Sequence, residues 1–225
     1  MKKWIGLGIS MLVIAFFLFV NQDDSTPLKA VEIQEYKGER LGSIEDFREN
    51  SIKGPQVVDI ETYQLQITGL VETPLSLTYD EVLEKPLYQK VVQLNCVEGW
   101  SVRLLWEGIL MEELIQEAKP MEEATHVIFY AVDGYATSIP LETILERKML
   151  LAYKMNDTIL RPDRGYPFQL VAEDKLGYKW IKWVEKIELS DQADFRGYWE
   201  KRGYDNTADI GKPEGPWEDP EKAKD

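Results

Sequence analysis

The sequence predicts an α+β fold of mixed β-sheets with short helices, preceded by one N-terminal transmembrane helix. Three observations carry this expectation. Strand-like segments (YQLQI, YQKVVQLNC, THVIFYAV, GYPFQLVAE and WIKWVEKIELS) are interspersed with short amphipathic helices and lack the regular spacing of βαβ units. No G-x-G-x-x-G and no P-loop opens a helix, so nucleotide-binding folds have no support. An uncharged apolar run occupies residues 4–20, behind Lys2 and Lys3.

That run is just long enough, at about 1.5 Å per residue, to cross a bilayer core. Lysines before it and Asp23-Asp24 after it place the body on the extracytoplasmic side of a cell membrane. An uncleaved single-pass anchor is preferred to a cleaved signal peptide, because no small-x-small site follows. The expected organisation is an anchor or signal over 1–21, a polar tether over 22–55, the folded domain over 56–211 and a mobile, Pro-rich charged tail over 212–225.

Within the body, residues 63–67 read as a strand that turns at Gly69. Thr78 and Glu81 form a capping box that starts a helix, with Leu77 positioned to staple onto Val82. Residues 88–96 read as a buried strand ending at Cys96, followed by the loop VEGWS. WEGILMEELIQEAK then reads as a helix with Leu110, Leu114, Ile115 and Ala118 on one face. A strand over THVIFYAV leads to a turn at Asp133-Gly134 and a helix over PLETILER, with Pro140 in its first turn. GYPFQLVAE gives a further strand. WIKWVEKIELS gives the last, with Ile181, Trp183, Ile187 and Leu189 on one face and a bulge near Val184 and Glu185.

Composition removes several functions. A net charge of -14 repels phosphate backbones, so nucleic acid is not an expected partner. One cysteine allows neither an intramolecular disulfide nor a zinc site of paired cysteines. One histidine, His126, rules out bis-histidine haem, an HExxH zinc site and a two-histidine facial triad, and its place in a strand reads as structural. Redox chemistry here must rest on a cofactor that asks little more of the protein than one thiolate.

A lone cysteine at a strand end is ordinarily a small buried hydrophobe. The context CVEGWSVRLLWEG sets Cys96 where a rigid strand becomes a loop, beside Glu98-Gly99 and near Arg103. A thiolate there suits a soft metal centre. A thiol enzyme acting through Cys96 directly is disfavoured, since no histidine is placed to activate it.

QLNCVEGWS with the following W-x-G resembles the cysteine loop of the oxidoreductase molybdopterin-binding domain family. That family contains sulfite oxidase, plant nitrate reductase and the catalytic subunit of the bacterial periplasmic methionine sulfoxide reductase. The likeness continues in order through DGYATSIPLE, LLAYKMNDTILRPDRGYPFQLV, GYKWIKWVEKIEL and GYWEKRGY, from about Tyr63 to Tyr204. It implies a sulfite-oxidase-type fold and a molybdenum–molybdopterin cofactor with Cys96 as the metal ligand. It further implies cofactor contacts from Lys182, from the backbone of Trp180 and Ile181, and from Asn50. Gln169 stands where relatives commonly carry a phosphate-binding arginine; Arg164, five residues earlier, is expected to compensate. Ala131 replaces a cofactor-contacting threonine of one branch. Arg103 is a candidate catalytic residue facing an anionic substrate.

The implied function is a molybdopterin-dependent oxidoreductase acting on a small-molecule substrate, with S- or N-oxide reduction preferred to sulfite oxidation. Electrons would come from a separate partner, a membrane protein or a small carrier. The alternative is a membrane-tethered, non-catalytic binding domain that retains the fold. Lys2-Lys3 in place of an arginine pair keeps that alternative in view.

Overall fold

The computed structural model describes residues 32–211. The expected N-terminal helix, the first part of the tether and the tail 212–225 lie outside the described residues. Among the described residues no helix is long and apolar enough to cross a membrane.

Two five-stranded sheets carry the domain. One is ordered β4 (Leu75–Leu77), β3 (Leu65–Gly69), β12 (Val184–Ser190), β7 (His126–Ala131) and β8 (Ala136–Pro140). Its β3–β12 pair is parallel and its other pairs are antiparallel. The other is ordered β10 (Thr158–Ile159), β9 (Leu150–Met155), β6 (Ser101–Leu110) and β5 (Tyr88–Asn95), with β11 (Gln169–Val171) also on β9; it is antiparallel throughout. A small hairpin of β1 (Glu35–Tyr36) and β2 (Glu39–Arg40) precedes both. Among the described residues three short α-helices, α1 (Tyr79–Leu83), α2 (Met111–Ala118) and α3 (Leu141–Glu146), accompany the sheets in the mixed-sheet α+β arrangement expected from the sequence.

Local chemistry explains the element ends. At α1, Thr78 Oγ1 accepts from Glu81 N and the Glu81 carboxylate accepts from Thr78 N at 2.8 Å. Such a cap contributes about 1 kcal/mol. The last strand carries the expected bulge, a register shift between Val184 and Lys186. Trp183 falls outside that strand: its φ is +54°, and its indole N–H donates to Pro162 O at 2.7 Å.

Two expectations need correction. Residues 106–110 are the second half of β6 and not the start of a helix. Residues 104–109 are all buried, so this part of the central strand shows no alternation, and the helical spacing of Leu110–Ala118 extends backward over it. Gly108 belongs to the strand for a steric reason, because a Cβ there would run into the Leu151 carbonyl.

The second correction concerns the polar tether. Over its described part it is packed onto the body. Ile44 is buried, and Gly42 N donates to Arg103 O at 2.7 Å. The Glu32 carboxylate accepts from Ile44 N at 2.9 Å and from Asn156 Nδ2 at 3.0 Å. Asn156 and Asp157, both at positive φ, make the tight β9–β10 turn.

Candidate functional site

The site begins where β5 ends. Beyond Asn95 the chain turns sharply: Cys96 N donates to Trp100 O at 2.9 Å and Gly99 N to Cys96 O at 3.1 Å. Gly99 has φ +87°, which a glycine adopts freely. Cys96 is thus held on a fixed backbone, with a free, half-buried thiol. Asn50 Nδ2 lies 3.9 Å from its Sγ. Burial pushes the thiol pKa up, against the pull of the Glu98 and Val97 N–H groups and the Asn50 amide.

Cys96 opens onto a cavity of about 400 Å³. Its lining includes the segment from Phe47 to Ile52, with Glu49, Asn50 and Ser51, together with Arg164, Gln169 and the run from Trp180 to Trp183. Asp133, Tyr135, Tyr178, Trp199 and Tyr204 contribute further lining.

Besides the exposed Arg48, two cations that are held by partners of their own line this cavity. Arg164 closes the 3-10 turn Pro162–Arg164 and is buried. Its Nε donates to Ile44 O at 3.1 Å and Nη2 to Phe47 O at 2.9 Å, and its guanidinium lies 4.1 Å from the centre of the Phe47 ring. These carbonyls use two of the five N–H donors a guanidinium presents. Lys182 Nζ donates to Glu49 Oε1 at 2.5 Å and lies 4.6 Å from the Trp183 ring centre. Burial lowers the pKa of both cations; Asp163 opposes this at Arg164 and Glu49 at Lys182. Gly165 allows the close fit, since a Cβ there would stand 3.0 Å from Lys182 Cγ and 3.1 Å from Gln169 Cβ.

Of the eight residues singled out from the sequence, seven line the cavity: Asn50, Cys96, Arg164, Gln169, Trp180, Ile181 and Lys182. Gln169 is buried, with its amide 3.5 Å from Trp180 O. Trp180 donates its indole N–H to Lys175 O at 2.9 Å and packs 5.4 Å from Trp106. Ile181 O accepts from Leu170 N at 2.9 Å, which ties this run to β11. Arg103 is the exception. Its exposed side chain pairs with Glu39 at 3.0 Å and does not line the cavity. Strand alternation explains this: Val102 and Leu104 take the buried face of β6, so Arg103 points outward.

Sequence reasoning missed Glu49, the partner of Lys182, and Ser51, whose buried hydroxyl has no hydrogen-bond partner among the described residues. Both lie in the polar segment read as a tether, beside Asn50. Their nearness to Asn50 was the available signal.

The donor set fits a molybdenum–molybdopterin cofactor. A half-buried thiol offers a soft ligand. Arg164 and Lys182 offer charge for a phosphate. Ser51 and Gln169 offer polar groups for a heterocycle, and the volume falls within the range of small-molecule sites.

Comparison with known proteins agrees. Residues 52–199 match the oxidoreductase molybdopterin binding domain. The chain is 33% identical over 166 residues to the uncharacterized oxidoreductase YuiH of Bacillus subtilis, covering 73% of this chain and 80% of that protein. It is 30% identical over 154 residues to the protein-methionine-sulfoxide reductase catalytic subunit MsrP of Campylobacter jejuni, covering 61% of this chain and 52% of that one. Among solved structures, the sulfane dehydrogenase SoxCD of Paracoccus pantotrophus shares the fold. Its TM-score is 0.61 at 24% identity, over 68% of this chain and 43% of that chain. The chain belongs to the oxidoreductase molybdopterin-binding domain family, and it is an oxidoreductase that works with a molybdenum–molybdopterin cofactor.

Proposed function

We propose that the chain is the catalytic domain of a membrane-anchored, extracytoplasmic reductase of S- or N-oxides, supplied with electrons by a separate partner. The observation that carries this is the joining, on one cavity, of the Cys96 thiol with the buried cation Arg164 and the part-buried cation Lys182. The similarity to a protein-methionine-sulfoxide reductase subunit supports the choice of substrate class. The apolar run 4–20 supports the anchor.

When bound, the cofactor supplies a two-electron redox centre, and the chain binds, orients and tunes it. Cys96 is the metal ligand, and the Asn50 amide holds its sulfur in place. Arg164 and Lys182 neutralise the cofactor phosphate, each kept in position by partners of its own. Gln169, Trp180 and Ile181 line the site beside them. Reduction of an oxide consumes two electrons and two protons and releases water, so protons must enter along with the electrons.

Protein purified from its native host is the material to test, with a reduced viologen dye as donor. Methionine sulfoxide, dimethyl sulfoxide and trimethylamine N-oxide are offered as oxidants, and sulfite as the competing substrate in the opposite direction. Oxide reduction that disappears in Cys96→Ser together with bound molybdenum is the expected result. Sulfite oxidation without oxide reduction overturns the reading. Recovery of the protein in the carbonate-extracted soluble fraction overturns the anchor.

A further inference from the structure

Two segments of the cavity wall are joined behind it by a buried charge pair. Lys179 ends the 3-10 turn Gly177–Lys179, between Tyr178 and Trp180, which both line the cavity. Glu200 follows Trp199, which lines the cavity together with Tyr204. Lys179 Nζ donates to Glu200 Oε1 at 2.5 Å and to Ser138 O at 3.0 Å. The Thr137 hydroxyl donates to the same Oε1 at 2.8 Å. The two charged side chains are 1% and 0% exposed. The second carboxylate oxygen, Glu200 Oε2, is buried with no hydrogen-bond partner among the described residues.

The surrounding backbone is seated closely. Tyr198 N donates to Ala136 O at 3.0 Å. A Cβ at Gly197 would run into that carbonyl and stand 2.7 Å from Glu200 Oε2. The rings on either side of the pair touch: Tyr178 lies 5.2 Å from Tyr204, and Tyr204 lies 5.2 Å from Trp199.

Net stability does not account for this arrangement. Withdrawing both charges from water costs several kcal/mol per ion, and well-packed apolar side chains often serve the core as well or better. A carboxylate with one oxygen unsatisfied is a poorer bargain still. What the pair supplies is a unique seat. Glu200 meets Lys179 and Thr137 together in one placement of residues 197–204, and that placement sets Trp199 and Tyr204 against Tyr178.

We propose that Lys179 and Glu200 are positioning residues of the cofactor site, a buried clasp that fixes the Tyr178, Trp199 and Tyr204 wall and thereby sets how firmly the cofactor is retained. The proposal rests on the reading that this cavity holds the cofactor.

The test follows molybdenum loss from purified holoenzyme during incubation well below its unfolding midpoint, with the midpoint measured alongside. The variants are Lys179→Met, Glu200→Gln and the double Lys179→Met/Glu200→Leu. Leu114→Ala, on the buried face of α2, serves as a control that lowers the midpoint without touching the cavity. Lys179→Met is expected to speed molybdenum loss by roughly tenfold or more, as removal of groups that orient a metal site does. Glu200→Gln keeps size and shape, and is expected to speed loss by about threefold should Lys179→Met fail to accumulate. The double variant strands no charge and is expected to restore the midpoint while cofactor loss stays about threefold or more above wild type.

Loss rates that simply track the midpoint across all four variants overturn the clasp. So does a double variant that retains molybdenum like wild type. Failure of the underlying reading shows separately: Cys96→Ser would then keep its molybdenum.

Discussion

The two ends of the cavity are built on opposite principles. At the thiol end, Cys96 is half-buried, and its nearest side-chain partner, Asn50, is exposed. The hydrogen bond between them is long and weak, 3.9 Å to sulfur. At the cation end, Arg164 is buried and tied by two main-chain carbonyls and an aromatic ring, and Lys182 is held by Glu49. The first is fixed chiefly by backbone, with Asn50 as a weak side-chain contact, and leaves its reactive atom open. The second is fixed by hydrogen bonds from the cations themselves, to carbonyls at Arg164 and to a carboxylate at Lys182. On the proposed function, substrate exchanges beside the thiol while Arg164 and Lys182 retain the cofactor phosphate, and the asymmetry serves both.

The sharpest way to break that comparison is Arg164→Ala. Removing the guanidinium strands the Ile44 and Phe47 carbonyls and unlatches residues 44–47 from the body. A loss of about 3 kcal/mol in unfolding free energy is expected by denaturant titration, together with a fall in bound molybdenum. Asn50→Ala is the counterpart at the open end. Stability should change by less than about 1 kcal/mol, while molybdenum loss from holoenzyme quickens by roughly tenfold. Equal destabilisation by the two substitutions would erase the distinction between the ends.

A smaller effect tests the packing behind the cation end. Tyr79 lies 5.7 Å from Tyr166, just beyond Arg164 and Gly165. Burial pushes its phenol up to about 12, from 10.0. An unfolded chain releases this proton at about 10 and the folded chain near 12, so the stabilisation is complete below pH 10 and is lost as pH rises toward 12. Unfolding free energy measured across that window should fall less steeply in Tyr79→Phe than in the parent. Smallest of all is Arg103→Ala. With its side chain exposed and, among the described residues, paired to Glu39, it should leave molybdenum content unchanged and stability within about 0.5 kcal/mol.

Sequence legibility followed the range of the interaction. Local signals read well: the Thr78–Glu81 box, the strand ending at Cys96 and the bulge after Val184 each depend on residues a few positions apart. The second half of β6 did not, because burial on both faces there removes the alternation that marks a strand. Arg103 was chosen for its distance from Cys96 along the chain, and the period-two geometry of β6 turned it away. The segment 44–52 read as linker because it is polar. Its role as a cavity wall comes from main-chain carbonyls that meet Arg164 some 117 to 120 positions later. Carbonyls carry no sequence signature. Glu49 and Glu200 are the same lesson with charges: each is an ordinary surface-type residue until its lysine arrives from elsewhere in the chain.

The pairing of β3 with β12 bears on the order in which the molecule comes into being. The Tyr63 hydroxyl reaches Val184 O across 121 positions, and β3 has no parallel neighbour until β12 exists. Closing so long a loop is entropically costly and slow. On the ribosome, the sheet centre therefore stays open until residue 190 has emerged, and Trp199 and Tyr204 arrive later still. A nascent chain holds Cys96 long before it holds a cavity, which stays incomplete until Tyr204 has emerged.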